Sequence, residues 1–335
     1  MQLKNIINKF DKSSIKAGDG KEVGIYSLYT CSPIVNKFLN DFICDDEAIV
    51  LSTGGSFSIH YVKGKFNYST DCYVFNTDKF NLKYLYYYLL NKSDDINKMF
   101  RGAGLKHLNK NEFVSLNIND IDLKQQLLIV KQLDKLTELI TIRKQEIDKC
   151  NNLIKSQFVE MFENKNYPRM TGKELFTFSS GKFLEESKRK NSGFPVYGGN
   201  GITWYTDQPL IDFDTIIFGR VGAYCGNVKK VNEPVWITDN AIYIKKFKTD
   251  AFNLNFLFNM LEFIDFSRFA QHSGQPKITQ KPLEEYNYVI PPIEEQLKFS
   301  KIVEQIDKQK FVNANLLQLL GKNLKRCYNN IIDFR

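Results

Sequence analysis

The chain has 335 residues and a mass of 39.0 kDa, and 46 basic against 38 acidic side chains leave a formal charge of +8. An apolar fraction of 43% with 14% aromatics excludes wholesale disorder, and the length suits two domains at roughly 100–200 residues each. Six singly scattered cysteines and three distant histidines (His60, His107, His272) argue against a disulfide framework and a clustered zinc site, and no apolar run nears the ~18 residues of a membrane span.

The opening MQLKNIINKFDK is amphipathic and mixed in charge, unlike a secretory signal. A soluble, cytoplasmic protein with no membrane partner and no bound metal is therefore expected. Next, EAIVLSTGG (47–55) and STDCYVF (69–75) read as strands bounded by turn residues. FNLKYLYYYLL (80–90) reads as a helix starting after an Asn. Between Leu123 and Lys165 there is neither Gly nor Pro. Apolar residues there fall at Leu133, Leu136, Ile140, Ile147, Cys150, Ile154 and Phe158, a stripe of about 3.5-residue period that predicts one long helix.

The chain then repeats itself. Aligning Tyr29 with Tyr197 sets an offset of 197 − 29 = 168, near which EAIVLSTGG meets DTIIFGRVG (214–222) and STDCYVF meets ITDNAIY (237–243). FNLKYLYYYLL meets FNLNFLFNML (252–261), RGAGLKHLNKNEF (101–113) meets HSGQPKITQKPLEEY (272–286), and IDLKQQLLIVKQLDK (121–135) meets IPPIEEQLKFSKIVEQIDK (290–308). A second stripe follows at Ile302, Ile306, Leu316, Leu320, Leu324, Cys327 and Ile331, with Asn313 as a polar seam position. The unit is far longer than a solenoid repeat. The reading is therefore a duplicated α/β (mixed α+β) domain plus helix, with domains at 1–120 and 166–291 and long helices at 121–165 and 292–335. Two such stripes suit helices lying against each other as an antiparallel coiled coil with a pseudo-twofold relation. The alternative is that each helix caps its own domain.

Catalytic motifs do not emerge. There is no GxxxxGK[ST], and GGNGI (198–202) and GRVGAYCGN (219–227) do not fit a dinucleotide fingerprint. Ser273, His272 and Asp239 suggest a triad only by residue type, without a GxSxG elbow. The double proline of IPPI lacks the polar and aromatic neighbours of an amino-methyltransferase motif.

Binding chemistry is better represented. Lys182, Lys188, Arg189 and Lys190 precede Tyr197; Arg220, Lys229 and Lys230 surround a glycine-rich stretch; Lys277 sits in SGQPKIT. Lys63, Lys65, Arg101, Lys106 and His107 occupy the matching stretches of the first copy. Basic side chains in loops neutralise phosphates, while neighbouring Tyr, Asn, Gln and Thr read base edges. Candidate DNA contacts are Lys182, Tyr197, Asn200, Arg220 and Lys277 in the second copy, and Tyr29, Thr53, Lys63 and Lys106 in the first. Tyr29 and Tyr197 are equally good core aromatics. A coiled-coil scaffold with two carbohydrate- or protein-binding heads would use the same glycine-rich, aromatic loops.

The run SGQPKITQKPLEEYNYVIPPIEEQLKFSKIVEQID (273–307), its degenerate partner GAGLKHLNKNEFVSLNINDIDLKQQLLIVKQLD (102–134), and YGGNGI, GRVGAYCGNV and WITDNAIYI resemble the specificity (S) subunits of type I restriction–modification enzymes. The resemblance implies two target-recognition domains, each reading half of a bipartite, asymmetric DNA site, with the paired helices as a ruler between them. It implies a subunit without catalytic activity and without its own cofactor. It would recruit two modification (methyltransferase) subunits that use S-adenosylmethionine, and restriction subunits that use ATP and Mg.

Overall fold

The computed structural model describes residues 1–163, 165–271 and 274–333, with side chains to 329. His272, Ser273 and the Ile331 side chain lie outside the described residues. The chain divides into two units, Met1–Lys144 with Ala314–Arg335, and Gln145–Asn313.

In the first unit the central strands are β1 (Tyr26–Tyr29), β2 (Cys44–Ser52), β3 (Ile59–Tyr68) and β4 (Cys72–Asn76). Short strands Asn8–Lys9 and Phe38–Leu39 complete a six-stranded sheet in which β4, β2, β3 and β1 are consecutive neighbours. Strand β2 pairs antiparallel with β3 and β4, while β1 joins β3 in parallel through Leu28↔Asn67 and Tyr29↔Tyr68. The run AIVL is apolar at every position because both faces of β2 are covered. Ile49 and Leu51 enter one cluster with Tyr73, Phe75, Tyr84, Leu85 and Phe113; Ala48 and Val50 enter another with Val62, Phe66 and Val74. Helix α1 (Leu82–Asn91) supplies Tyr84, Leu85 and Tyr88 to the first cluster, and its N-terminus is capped by Asn81, whose side chain accepts the Tyr84 N–H at 3.0 Å.

Helix α2 (Leu123–Phe158) has 36 residues, roughly 54 Å at 1.5 Å per residue. Among its buried and half-buried positions, Leu133, Leu136, Ile140, Arg143, Ile147, Cys150 and Ile154 form a seam alternating steps of three and four, in which Arg143 joins the apolar residues of the sequence stripe. A π-helical turn, Val159–Glu163, follows. In the first unit, Leu133 of α2 shares the core with Leu324, Cys327 and Tyr328 of the last helix.

The second unit repeats the plan. Strands β5 (Phe176–Ser180), β6 (Phe194–Gly198), β7 (Gly201–Thr206), β8 (Thr215–Gly219), β9 (Val228–Val231) and β10 (Ala241–Phe247) form a four-stranded sheet, β5-β10-β8-β9, and a smaller one in which β6 lies between β7 and Trp236–Ile237. Ile216 and Phe218 face the main core with Ile242 and Ile244; Ile217 faces the opposite cluster with Tyr243 and Ile237. Helix α3 (Leu254–Phe263) is capped by Asn253, which accepts from Asn255 and Phe256 N–H. The final helix, α4 (Ile293–Asp333), has 41 residues. In this unit Phe158 of α2 and Phe299 of α4 meet with ring centroids 5.7 Å apart.

The tail stripe needs one correction. Leu316 is 36% exposed, and one shielded seam runs Val303, Ile306, Lys310, Asn313, Leu317, Leu320, Leu324 and Cys327, with Ile302 and Tyr328 half-buried beside it. The alternation of three and four places a lysine at 310, half-buried and paired with Asp307 at 3.2 Å. Counting apolar residues alone passes over that lysine and selects the wrong one of the adjacent leucines. Asn313 is only 1% exposed, so it does lie on the shielded side. Among the described residues no helix is long and apolar enough to cross a membrane.

Candidate nucleic-acid interface

The internal repeat extends to individual hydrogen bonds. In the first unit the Gly55 N–H donates to the Lys106 carbonyl at 2.8 Å, and the Leu108 N–H to the Thr53 carbonyl at 3.0 Å. In the second, Gly222 N–H donates to the Pro276 carbonyl at 2.9 Å, and Ile278 N–H to the Arg220 carbonyl at 2.9 Å. Gly55 and Gly222 both have φ of +80°, a left-handed conformation that favours glycine. Each unit therefore presents two crossed loops, 53–55 against 106–108 and 220–222 against 276–278. Thr53 matches Arg220, Gly54 matches Val221, and His107 matches Lys277.

The same register follows from aligning LKHLN (105–109) with QPKIT (275–279). Lys106 and Lys277 are both exposed, but Lys106 stands where the second unit has Pro276; the residue in the Lys277 position is His107. Gly54 and His107 form an isolated β-bridge, as do Val221 and Lys277.

The second unit gathers several of the expected residues. The Arg220 N–H donates to the Asn240 carbonyl at 2.9 Å, and its guanidinium donates to the Asp239 carbonyl at 3.2 Å. Asn200, exposed in the turn between β6 and β7, belongs to the same concavity as Asp239 and Asn240. Lys277 is an exposed cation on the loop bridged to Val221. Lys182 also has an exposed side chain, and its backbone anchors the loop: its carbonyl accepts from the Trp236 indole at 2.9 Å, and its N–H donates to Ile237 at 2.8 Å.

Tyr197 is of a different kind. It is half-buried and packs against the Ile217, Val231 and Ile237 cluster, and burial raises its phenol pKa, so the group stays neutral. Its counterpart Tyr29 lies 5.2 Å from the His60 ring and 6.0 Å from Phe66, with its pKa likewise raised by burial. The two are true equivalents: the Ser69 N–H donates to the Tyr29 carbonyl and the Thr238 N–H to the Tyr197 carbonyl, both at 2.9 Å.

In the first unit Thr53 is 9% exposed and its hydroxyl donates to the Asp71 carbonyl at 2.7 Å, so it braces the crossed loops. Lys63 is exposed but sits on β3 opposite Glu47, four residues along the ladder from Leu51. That is roughly 13 Å of strand away from the loop end, and the structure does not bring it to the crossed loops. Among the other basic residues, Arg101 pairs with Glu112 at 2.7 Å and the Lys65 ammonium lies 4.5 Å from the Phe42 ring centroid.

Residues that the sequence reading left out of its candidates are Trp204, Tyr224, Phe183, Asp239 and Thr238, which line one concavity with Asn200. Apart from Phe183, which follows Lys182, their only signal in the sequence is membership of the stretches around YGGNGI, GRVGAYCGNV and WITDNAIYI; nothing in their spacing shows that the three stretches converge. Among the described residues no group of three or more His, Cys, Asp or Glu is placed to hold a metal ion.

Comparison with known proteins agrees with this arrangement. A model of the type I restriction modification DNA specificity domain matches residues 1–152 and again 164–320. The chain is 24% identical to the type I restriction enzyme EcoprrI specificity subunit of Escherichia coli over 69% of its own length and 62% of that protein's. It is 21% identical to the EcoDI specificity subunit of Escherichia coli over 96% of this chain and 83% of the relative. It thus spans 62% of the first relative and most of the second. Its fold is similar to that of the type I restriction–modification S subunit from M. genitalium, with a TM-score of 0.72 at 18% identity, covering 99% of this chain and 95% of that one. A chain from a type I R-M structure concerned with complex assembly and conformational transition matches with a TM-score of 0.56 at 13% identity, over 99% and 96% of the two chains. The duplicated strand-and-loop units, each followed by its long helix, and the paired family match place this chain in the family of type I restriction modification DNA specificity domains.

Proposed function

We propose that this chain is the DNA-sequence-specificity subunit of a type I restriction–modification system. Each unit reads one half of a bipartite, asymmetric duplex site through its crossed loops. The chain performs no chemistry itself. It positions two modification subunits, which use S-adenosylmethionine to methylate adenine, and it also serves restriction subunits that use ATP and Mg. The observation that carries this reading is the matched pair of loop crossings, 53–55 with 106–108 and 220–222 with 276–278. Two similar but non-identical heads suit a two-part, asymmetric sequence. Exposed Lys277, Lys182 and Lys106 supply the cations that position a phosphate backbone.

The test is to reconstitute the full chain with its modification subunit, map the methylated positions on genomic DNA, and titrate salt against binding of the site found. The expected result is one split sequence, with affinity falling steeply and log-linearly with salt. Methylation without sequence preference, or binding insensitive to salt, would defeat the reading; capture of an oligosaccharide in place of duplex would favour a scaffold with two other heads.

A further inference from the structure

The second unit carries an open concavity of about 370 Å³. Its walls are aromatic and solvent-facing: Phe183 is 65%, Tyr224 48% and Trp204 40% exposed. Exposed aromatics grouped around polar atoms mark a binding surface. The Arg189 guanidinium lies 4.1 Å from the Trp204 ring centroid and is also engaged by Glu186 at 3.3 Å, so its charge is already partly answered.

Three polar groups in the lining lack a hydrogen-bond partner among the described residues: the Arg189 Nε, the Thr238 hydroxyl and the Asp239 carboxylate. Thr238 is 6% exposed, and its hydroxyl, in the lining of the concavity, has no hydrogen-bond partner. Buried hydroxyls without partners are rare in folded proteins and call for an explanation. Asp239 is exposed on the rim, and among the described residues no ion pair or hydrogen bond engages its carboxylate. A free carboxylate beside the concavity repels phosphate and accepts a hydrogen bond from an amino group. In the major groove, the pairing that suits Asp is the exocyclic N4 amine of cytosine.

We propose that this concavity reads a cytosine in the half-site recognised by the second unit. Asp239 accepts the N4 hydrogen bond, and Trp204 and Tyr224 shield that bond from water. The inference rests on the DNA-specificity reading above and adds to it the residues and the base.

The Arg189–Trp204 pair has no counterpart at the matching positions of the first head. Lys21 and Phe38 exchange backbone hydrogen bonds of 3.0 and 2.8 Å, as Lys190 and Tyr205 do at 2.8 and 3.1 Å. One residue earlier in each segment, Gly20 and Lys37 stand where the second unit has Arg189 and Trp204. The first head therefore lacks the stacked Arg–Trp wall.

The experiment selects duplexes from a randomised library with the full chain reconstituted with its modification subunit, comparing the native protein with Asp239→Asn. The expected result is an about tenfold loss of cytosine preference at one position of one half-site, the other half-site keeping its profile. Trp204→Leu, at an exposed strand position, should blunt the same base preference and carries the test if Asp239→Asn fails to fold. An unchanged profile in both variants, or even weakening across all sequences, overturns the inference while leaving the specificity-subunit reading intact. A native complex with no sequence preference defeats that reading and this inference with it.

Discussion

Gln296, near the start of the last long helix, grips Asn253, the cap of helix α3 in the second unit: its side-chain oxygen accepts the Asn253 N–H at 2.8 Å. Its amide donates at the same time to the Pro291 and Ala251 carbonyls, at 2.8 and 2.7 Å, and the side chain is fully buried. Gln126 does the same in the first unit, accepting the Asn81 N–H at 2.7 Å and donating to Ile121 at 2.8 Å. One glutamine thus locks each long helix to the capped helix of its own domain. Replacing Gln296 by Leu removes one acceptor and one doubly engaged donor while keeping similar volume, stranding three backbone groups, one buried and two half-buried. The expected cost is about 3 kcal/mol, read as a lower urea midpoint. Gln126→Leu strands two and should cost about 2 kcal/mol.

Lys277 and His107 occupy the same place in the two crossed-loop motifs. Lys277→Ala should weaken duplex binding about evenly across sequences and lower the slope of log affinity against log salt by about one. An effect confined to one base pair would show that Lys277 reads sequence. Exchanging the pair, His107→Lys, should raise the slope.

In the proposed role the long helices set the gap between half-sites. Removing Leu136–Ile142 from α2 and Lys310–Leu316 from α4 takes one heptad from each and preserves the alternation of three and four. Each helix shortens by roughly 10 Å, equivalent to about 3 base pairs. Methylome mapping should show a shorter unspecified gap between unchanged half-sites.

The first unit should fail first in alkali. Burial raises the phenol pKa values of Tyr84, Tyr87 and Tyr88, and pushes Tyr328 up to about 12 and the Cys72 thiol up to about 11. Unfolded phenols titrate near ~10 and thiols near ~8.5. Folded values above unfolded ones mean that the native state holds its protons longer. The associated stability is therefore complete below about pH 8.5 and is lost as pH climbs through the folded values. Both tryptophans, Trp204 and Trp236, lie in the second unit. Tyrosinate absorbance should therefore show cooperative loss of the first unit at a lower pH than tryptophan fluorescence shows for the second. Coincident transitions would contradict this.

Local rules sufficed for much of the architecture. The capped helices after Asn81 and Asn253, the glycine-free run of α2 and the equivalence of Tyr29 with Tyr197 were all legible, because capping, helical periodicity and duplication act over a few residues or repeat verbatim. Tertiary structure decided the rest. It put His107 and Lys277 in equivalent bridges, to Gly54 and Val221, because that depends on hydrogen bonds between loops about 50 residues apart in sequence. It moved the helical stripe from Leu316 to Leu317, because a paired lysine can share a shielded seam with leucines. It withdrew Thr53 into a bracing bond and left Lys63 on a strand. Finally, it drew Trp204, Tyr224, Thr238 and Asp239 around one concavity. Composition and periodicity report which face of an element is buried; only the folded chain brings residues from three separate loops within reach of one ligand.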